Sequence, residues 1–267
     1  MRGRVLVVAG SDSGGGAGIQ ADIKSITAFG AYAATAITAL TAQNTLGVQA
    51  VHMPPLDFIE QQIAVVMDDI GADVVKIGML GDAATIEVVS DALQRHAPGV
   101  PVVLDPVMVA TSGARLLADD ALGMLIRRLL PMARVITPNL PEAEALADMA
   151  IPDVAAMRRA TAALLKLGVP AVLLKGGHLP GEQLVDLLAT SDGIEVFSAP
   201  RIASRNTHGT GCTLASGIAA CLAQGASLPE AVRRARDYVR AAIATAPGFG
   251  KGHGPLNHAA LSATETR

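Results

Sequence analysis

The sequence predicts an α/β fold, a central and mostly parallel sheet with helices on both faces in a three-layer sandwich. Three observations carry that reading. Short apolar runs rich in Val, Ile and Leu alternate with segments of helical length. The first run, 4–9, is apolar and β-branched almost without interruption, as a strand covered on both faces should be. Polar clusters fall just past the ends of the runs, where ligands bind in such sheets.

Taken in order, the run 4–9 ends at Gly10, and the Gly-rich segment 10–18 leads into a helix over 19–29 closed by Gly30. A second strand, 33–40, runs out into Thr41-Ala42-Gln43-Asn44, and a shorter one covers 48–52. Pro54 and Pro55 precede a helix over 56–69. The alternation then becomes regular, with strand 74–77, helix 82–96, strand 102–104, helix 119–130 stopped by Pro131, and strand 135–137 stopped by Pro138. Helices over 141–149 and 153–167 lead to strand 171–174. Segments 184–189 and 194–197, joined around Asp192-Gly193, read as a hairpin. The loop Asn206-Thr207-His208-Gly209-Thr210-Gly211-Cys212-Thr213 turns into a helix, a further helix covers 229–245, and the tail 248–255 is too Gly-rich for regular structure. No linker-like shift and no repeat divides the chain, so residues 1–267 read as one domain.

Composition narrows the function. Apolar residues make up 51%, which excludes a disordered chain, yet there is no Trp and only two Tyr and four Phe. The core must be Ala, Val, Leu, Ile and Met, and stacking platforms for single-stranded nucleic acid are missing. A net charge of −3 gives no electrostatic reason to expect nucleic acid or an anionic membrane as partner. The run 5–9 is too short for a signal-peptide core, and no stretch approaches the roughly 18 consecutive apolar residues of a membrane helix. Cys212 and Cys221 would lie more than two turns apart on one helix, too far to bridge. A reducing, cytoplasmic setting follows.

The 206–213 loop is the chemical centre of the reading. Free backbone N–H groups and the positive end of a helix dipole make an anion site there. Cys212 in the first turn is expected to have a lowered pKa. The 10–18 loop fits neither G-x-G-x-x-G nor a Walker loop. Asp105 after a buried strand either assists a metal near phosphate or braces a turn. Asn139 and Glu142 either cap a helix begun by Pro141 or orient Mg²⁺-bound water. Lys175, before two glycines, can meet phosphate as a point charge. Gln43 donates and accepts through one planar amide, which suits a heterocycle bearing an amino group beside a ring nitrogen. His52, His96 and His258 have no ligand-like spacing.

Together these residues carry a resemblance. The segment from Gly10-Ser11-Asp12-Ser13-Gly14-Gly15-Gly16-Ala17-Gly18 to Gln20-Ala21-Asp22-Ile23-Lys24 is similar to the amino-terminal signature of hydroxymethylpyrimidine/phosphomethylpyrimidine kinases of thiamine biosynthesis. So are Thr41-Ala42-Gln43-Asn44-Thr45, Lys76-Ile77-Gly78-Met79-Leu80 and Leu104-Asp105-Pro106-Val107-Met108. Thr137 to Glu142, Lys175-Gly176-Gly177-His178, the 206–213 loop and the 250–255 tail complete the set, in family order. Only Ser13-Gly14 stands where some members have Pro-Ser.

The resemblance implies a ribokinase-like fold and ATP-dependent phosphorylation of 4-amino-5-hydroxymethyl-2-methylpyrimidine, then of its monophosphate, with Mg²⁺ and as a homodimer. It implies substrate contacts at Gly10, Asp22, Gln43, Met79 and the Val107 backbone, and a catalytic anion hole on Gly209, Thr210, Gly211 and Cys212. Nucleotide contacts would fall on Asn139, Glu142, Lys175, Thr207 and Lys251, and metal contacts on Asp105 and Glu142, partly through water. Cys212 stands where many ribokinase relatives carry an aspartate base, as in some pyridoxal kinases. Three other readings remain: a kinase of pyridoxal-type alcohols, a non-catalytic pyrimidine- or nucleotide-binding module, and group transfer through a covalent Cys212 assisted by His208.

Overall fold

A computed structural model gives the architecture and describes residues 1–109, 113, 116–118 and 120–260. Nine strands lie in one sheet: β1 (Arg4–Asp12), β2 (Tyr32–Asn44), β3 (Gly47–His52), β4 (Val74–Ile77), β5 (Val102–Leu104), β6 (Ala133–Ile136), β7 (Ala171–Lys175), β8 (Gln183–Thr190) and β9 (Gly193–Pro200). Their order is β3-β2-β1-β4-β5-β6-β7-β8-β9. The run from β2 through β1, β4, β5 and β6 to β7 is parallel, while β3, β8 and β9 attach antiparallel at the two edges.

The helices are α1 (Gly18–Ala28), α2 (Leu56–Asp69), α3 (Ala83–His96), α4 (Ala121–Met124), α5 (Leu140–Ala147), α6 (Val154–Leu165), α7 (Thr210–Ala223) and α8 (Leu228–Ala244). Alternate strand residues divide between them. Leu6, Val8, Val75, Ile77 and Leu104 pack with apolar residues of α2, α3 and α6. Val5, Val7, Ala9, Val103 and Val135 pack with α1, α7 and α8. The β1 stretch from Val5 to Ala9 is at most 1% exposed, which is why its sequence shows no polar alternation. Local signals set the helix starts: the side chains of Asp82 and Asp153 accept from the amides of Thr85 (2.8 Å) and Ala156 (2.7 Å).

Two elements differ from the sequence expectation. β1 does not stop at Ala9 but continues through Gly10 and Ser11 to Asp12, with a register shift between Ala9 and Ser11. Polar side chains hid this extension, because the strand end faces the site rather than the core. The helix expected over 119–130 is α4 followed by a π turn over Leu125–Leu129 and a 3₁₀ turn over Leu130–Met132. Pro131 sits in the first turn of the last piece, where its missing N–H is tolerated. Asp119 itself lies outside the described residues, as does 261–267.

The Gly-rich tail is irregular, as expected, yet it is tied down. His253 N donates to Thr45 O (2.9 Å), His208 N to Gly254 O (3.2 Å) and the Tyr238 hydroxyl to His258 O (2.7 Å). Ala33 and Ala34 in β2 are half-buried against the two cores. Among the described residues no helix is long and apolar enough to cross a membrane. Cys212 and Cys221 are both free thiols.

At the far end of β7, Gly176 allows the β8 backbone to approach closely: a Cβ there would stand 2.0 Å from the Val185 carbonyl oxygen. Gly176→Ala is therefore expected to cost about 1–3 kcal/mol of stability through forced backbone displacement. Urea unfolding should show a lower midpoint with an unchanged slope.

Candidate active site

One cavity of about 990 Å³ opens along the carboxyl ends of the parallel strands. That is the upper end of the range for ligand pockets, and enough for two substrates side by side. Gly10, Gln43, Met79, Val107, Asn139, Glu142 and Lys175 line it, with Asp105 and the 209–212 loop on its wall as well. Thr207 is also at the cavity. The structure thus brings together residues separated by some 200 positions of chain.

Two expected site residues are placed elsewhere. Asp22 is fully buried in α1 and is not at the cavity wall; its two oxygens each accept from Lys76 Nζ at 2.9 Å, and one also accepts from Ser216 Oγ at 2.6 Å. Its partner Lys76 does reach the cavity wall. Lys251 is exposed on the tail, away from the cavity. Sequence had a signal for the first of these: a lysine inside the strand Val74-Val75-Lys76-Ile77 is fully buried only when paired. Burial alone would lower the Lys76 pKa, but the Asp22 carboxylate outweighs it and holds the ammonium charged.

The anion loop is built by backbone. Gly209 caps α7 in the left-handed region at φ +81°, and a Cβ there would stand 1.8 Å from Gly16 O, so no other residue fits. Thr210 N bonds Thr207 O (3.2 Å), which leaves the amides of Gly211 and Cys212 as first-turn donors that the helix itself cannot satisfy. Below them Lys175 Nζ bonds Asp105 Oδ1 at 3.0 Å, and Thr137 Oγ1 donates to the same oxygen at 2.8 Å. A Cβ on Gly211 would be 3.3 Å from Lys175 Nζ and 3.4 Å from Asp105 Oδ2. The loop and the ion pair therefore face the same small volume.

Electrostatics sort the acids. Burial would raise Asp105, but Lys175 and Lys76 hold its carboxyl below the usual range. Glu142 is pushed up to about 7, first by burial and then by Asp105, with Lys175 opposing. Asn139 and Glu142 form a capping box: Asn139 Oδ1 accepts from Glu142 N (2.9 Å) and Glu142 Oε2 from Asn139 N (2.8 Å). Capping and a place at the cavity are thus both true of this pair.

The expectation of an acidic Cys212 is overturned. Its thiol is pushed up to about 11, because burial and the nearby Asp22 and Asp105 carboxylates outweigh Lys76 and the amide of Gly18. The helix terminus is present, but partial burial and the neighbouring carboxylates oppose a thiolate at rest.

Sequence reasoning missed a second buried pair. Arg236 of α8 donates to Asp186 Oδ2 of β8 at 2.8 Å, while Asp186 Oδ1 accepts from Gly176 N at 2.9 Å. Both line the cavity beside Lys175, and Arg236 lies over the Phe197 ring at 5.2 Å. Arg201 similarly holds the 177–181 turn by its carbonyl oxygens of Gly177, Leu179 and Gly181. Such long-range partners leave no local pattern in a sequence. Among the described residues no group of three or more His, Cys, Asp or Glu is disposed to hold a metal.

The phosphomethylpyrimidine kinase family model matches residues 12–257. The chain belongs to that family. It is 49% identical to the hydroxymethylpyrimidine/phosphomethylpyrimidine kinase of Rhizobium meliloti over 95% of this chain and 96% of that one. It is 51% identical to the thiamine biosynthesis bifunctional protein of Geobacter sulfurreducens, covering all of this chain but about half, 54%, of that longer protein. Among solved structures, an ADP complex of Bacillus subtilis pyridoxal kinase superposes with a TM-score of 0.90 at 35% identity, over 98% of this chain and 100% of the other. The ribokinase-like α/β fold expected from the sequence is therefore the one observed.

Removing Asp22 strands the Lys76 ammonium in a dry interior. Asp22→Ala is expected to lower the unfolding free energy by about 3–5 kcal/mol, and adding Lys76→Met should recover most of it. Chemical denaturation of the two variants beside the parent checks the pair.

Proposed function

We propose that this chain phosphorylates 4-amino-5-hydroxymethyl-2-methylpyrimidine from ATP, and then phosphorylates the monophosphate to the pyrophosphate. Family membership makes it a kinase, a phosphotransferase of thiamine biosynthesis. The observation that carries the two-substrate reading is one cavity of about 990 Å³ lined both by Gln43 and by the amide-lined start of α7 with Lys175.

In the first transfer the substrate hydroxymethyl oxygen attacks the γ-phosphorus of ATP. The new O–P bond forms as the bond to the bridging oxygen of ADP breaks, and the hydroxyl proton passes to the Sγ of Cys212 in its thiolate form. The amides of Gly211 and Cys212 receive the charge of the transferring group, and Lys175 neutralises the polyphosphate. Asp105 and Glu142, two carboxylates on the cavity wall, fit the way Mg²⁺ is held, by one or two carboxylates together with water and substrate phosphates. Mg²⁺ bound there would offset polyphosphate charge. In the second transfer the nucleophile is a phosphate oxygen, already ionised near neutral pH, so the thiolate matters less.

The pyridoxal kinase superposition supports one competing reading, the same transfer to a pyridoxal-type alcohol. Turnover of the two alcohols by purified protein separates them, and a strong preference for pyridoxal would sink the pyrimidine assignment. A homodimer in the cytoplasm belongs to the same proposal, and sedimentation checks the dimer.

Cys212→Ala is expected to slow the first phosphorylation by about 10²–10⁴-fold and the second by less than about tenfold. Because the thiol sits at about 11, the required thiolate grows with pH. The first step in the parent should therefore rise about tenfold per pH unit between about pH 7 and 9, and Cys212→Asp should flatten that rise. Equal losses in both steps, or a flat parent profile, would count against the base role.

A further inference from the structure

Lys175 has a second carboxylate within reach. In the ladder of β7 with β8 it stands directly opposite Asp186, and Asp186 stands opposite Phe197 of β9. Opposite residues of an antiparallel pair project from the same face with Cβ atoms about 5 Å apart. The pair two residues back on that face, Leu173 and Leu188, packs with apolar residues of α7 and α8. Lys175, Asp186 and Phe197 therefore form one row across three strands, turned toward those helices. A four-carbon lysine stem spans the gap to Asp186 easily. Yet the Lys175 ammonium bonds Asp105 Oδ1 at 3.0 Å, at the end of β5.

Arg236 accounts for that choice. Its Nε donates to Asp186 Oδ2 (2.8 Å) and its Nη2 to Phe197 O (3.3 Å), and the guanidinium lies over the Phe197 ring at 5.2 Å. The other carboxylate oxygen, Asp186 Oδ1, accepts from Gly176 N at 2.9 Å. Asp186 and Arg236 are 5% and 8% exposed, so solvent screens the pair little. A carboxylate this dry needs a cation, and without the guanidinium it would draw the ammonium on the residue directly opposite. Asp105 can release that ammonium more readily, because the Thr137 hydroxyl (2.8 Å) and the Lys76 charge also hold it.

We propose that Arg236, by occupying Asp186, keeps the Lys175 ammonium on Asp105 and so available to the phosphates of the nucleotide. The inference rests on the reading of Lys175 as the polyphosphate cation and names what holds it there. All three residues line the cavity, but Arg236 is a positioning residue, acting through Asp186 on Lys175. Along the row the charges run cation, anion, cation. Deleting the outer cation pulls the inner one out of the site, and deleting the anion as well lets it return.

Crystallography and calorimetry on the purified protein test this. In a crystal structure of Arg236→Met the Lys175 ammonium should sit on Asp186. Kd for AMP-PCP, a non-hydrolysable ATP analogue, with Mg²⁺ should rise about tenfold in that variant. Arg236→Met/Asp186→Asn removes the competing charge but keeps an acceptor for Gly176 N. It should return Lys175 to Asp105 and bring Kd within about threefold of the parent. In a Lys175→Met background, Arg236→Met should add nothing to Kd, because the group it acts on is gone. Equal weakening in both backgrounds, an unchanged Kd, or Lys175 still on Asp105 in Arg236→Met would overturn the proposal in favour of a merely structural pair. A double variant as weak as Arg236→Met would overturn it too, by making Arg236 itself a nucleotide contact. Should Arg236→Met not fold, Arg236→Gln keeps a hydrogen bond to Asp186 without the charge and must show the same two changes. If Lys175→Met alone leaves AMP-PCP binding unchanged, the polyphosphate reading of Lys175 falls by itself. The crystal position of the ammonium then still decides whether Arg236 sets it.

Discussion

The Asp12 carboxylate is the interaction on which the site depends. It is 3% exposed and collects three backbone amides of the first loop together with the imidazole of a loop 196 residues away. A buried carboxylate costs a great deal unless its lone pairs are filled, and here they are filled by donors from both loops that border the cavity. Neither loop can leave without stranding the charge. The sheet brings the two loops to one edge, and Asp12 fixes their spacing there.

That spacing is close enough to dictate residue size. Gly18 packs so that a Cβ would come within 2.3 Å of Gly10 O, and Gly209 would come within 1.8 Å of Gly16 O. The two helices that begin at these loops, α1 and α7, therefore point their amino termini into one volume, with Cys212 between them. The glycines are a packing requirement as much as a conformational one. Within the first loop Gly18 meets the Gly10 carbonyl, whereas a Cβ on Gly16 would meet the His208 and Pro255 side chains, so close packing accounts for glycine at both.

Much of this was legible in the chain. The parallel order followed from uninterrupted runs such as the one at 4–9, and the site edge followed from polar residues at strand ends, of which Gln43, Asp105 and Lys175 do line the cavity. What escaped was long-range pairing. Nothing near Asp22 announces Lys76, and nothing near Asp186 announces Arg236, because each partner comes from a different layer of the fold. The direction of the Cys212 shift failed for the same reason: the helix start is visible locally, whereas the carboxylates and the burial that oppose it arrive from β5 and α1. Strand β1 was cut short because its last residues are polar, and polarity there marks the site rather than a loop.

The raised thiol follows from charge balance. Around Cys212 stand Asp22 and Asp105 against Lys76 and Lys175, and a polyphosphate must still be admitted. A resident thiolate would add a further negative charge where the incoming phosphate is hardest to accommodate. A thiol avoids that conflict at rest, and its conjugate base, being strong, is matched more closely to an alcohol than an acidic thiolate would be. The second transfer brings its own negative charge to the same place and needs no base. The resting thiol thus leaves that charge out of the site, and the proposed base role calls on its thiolate only for the first step.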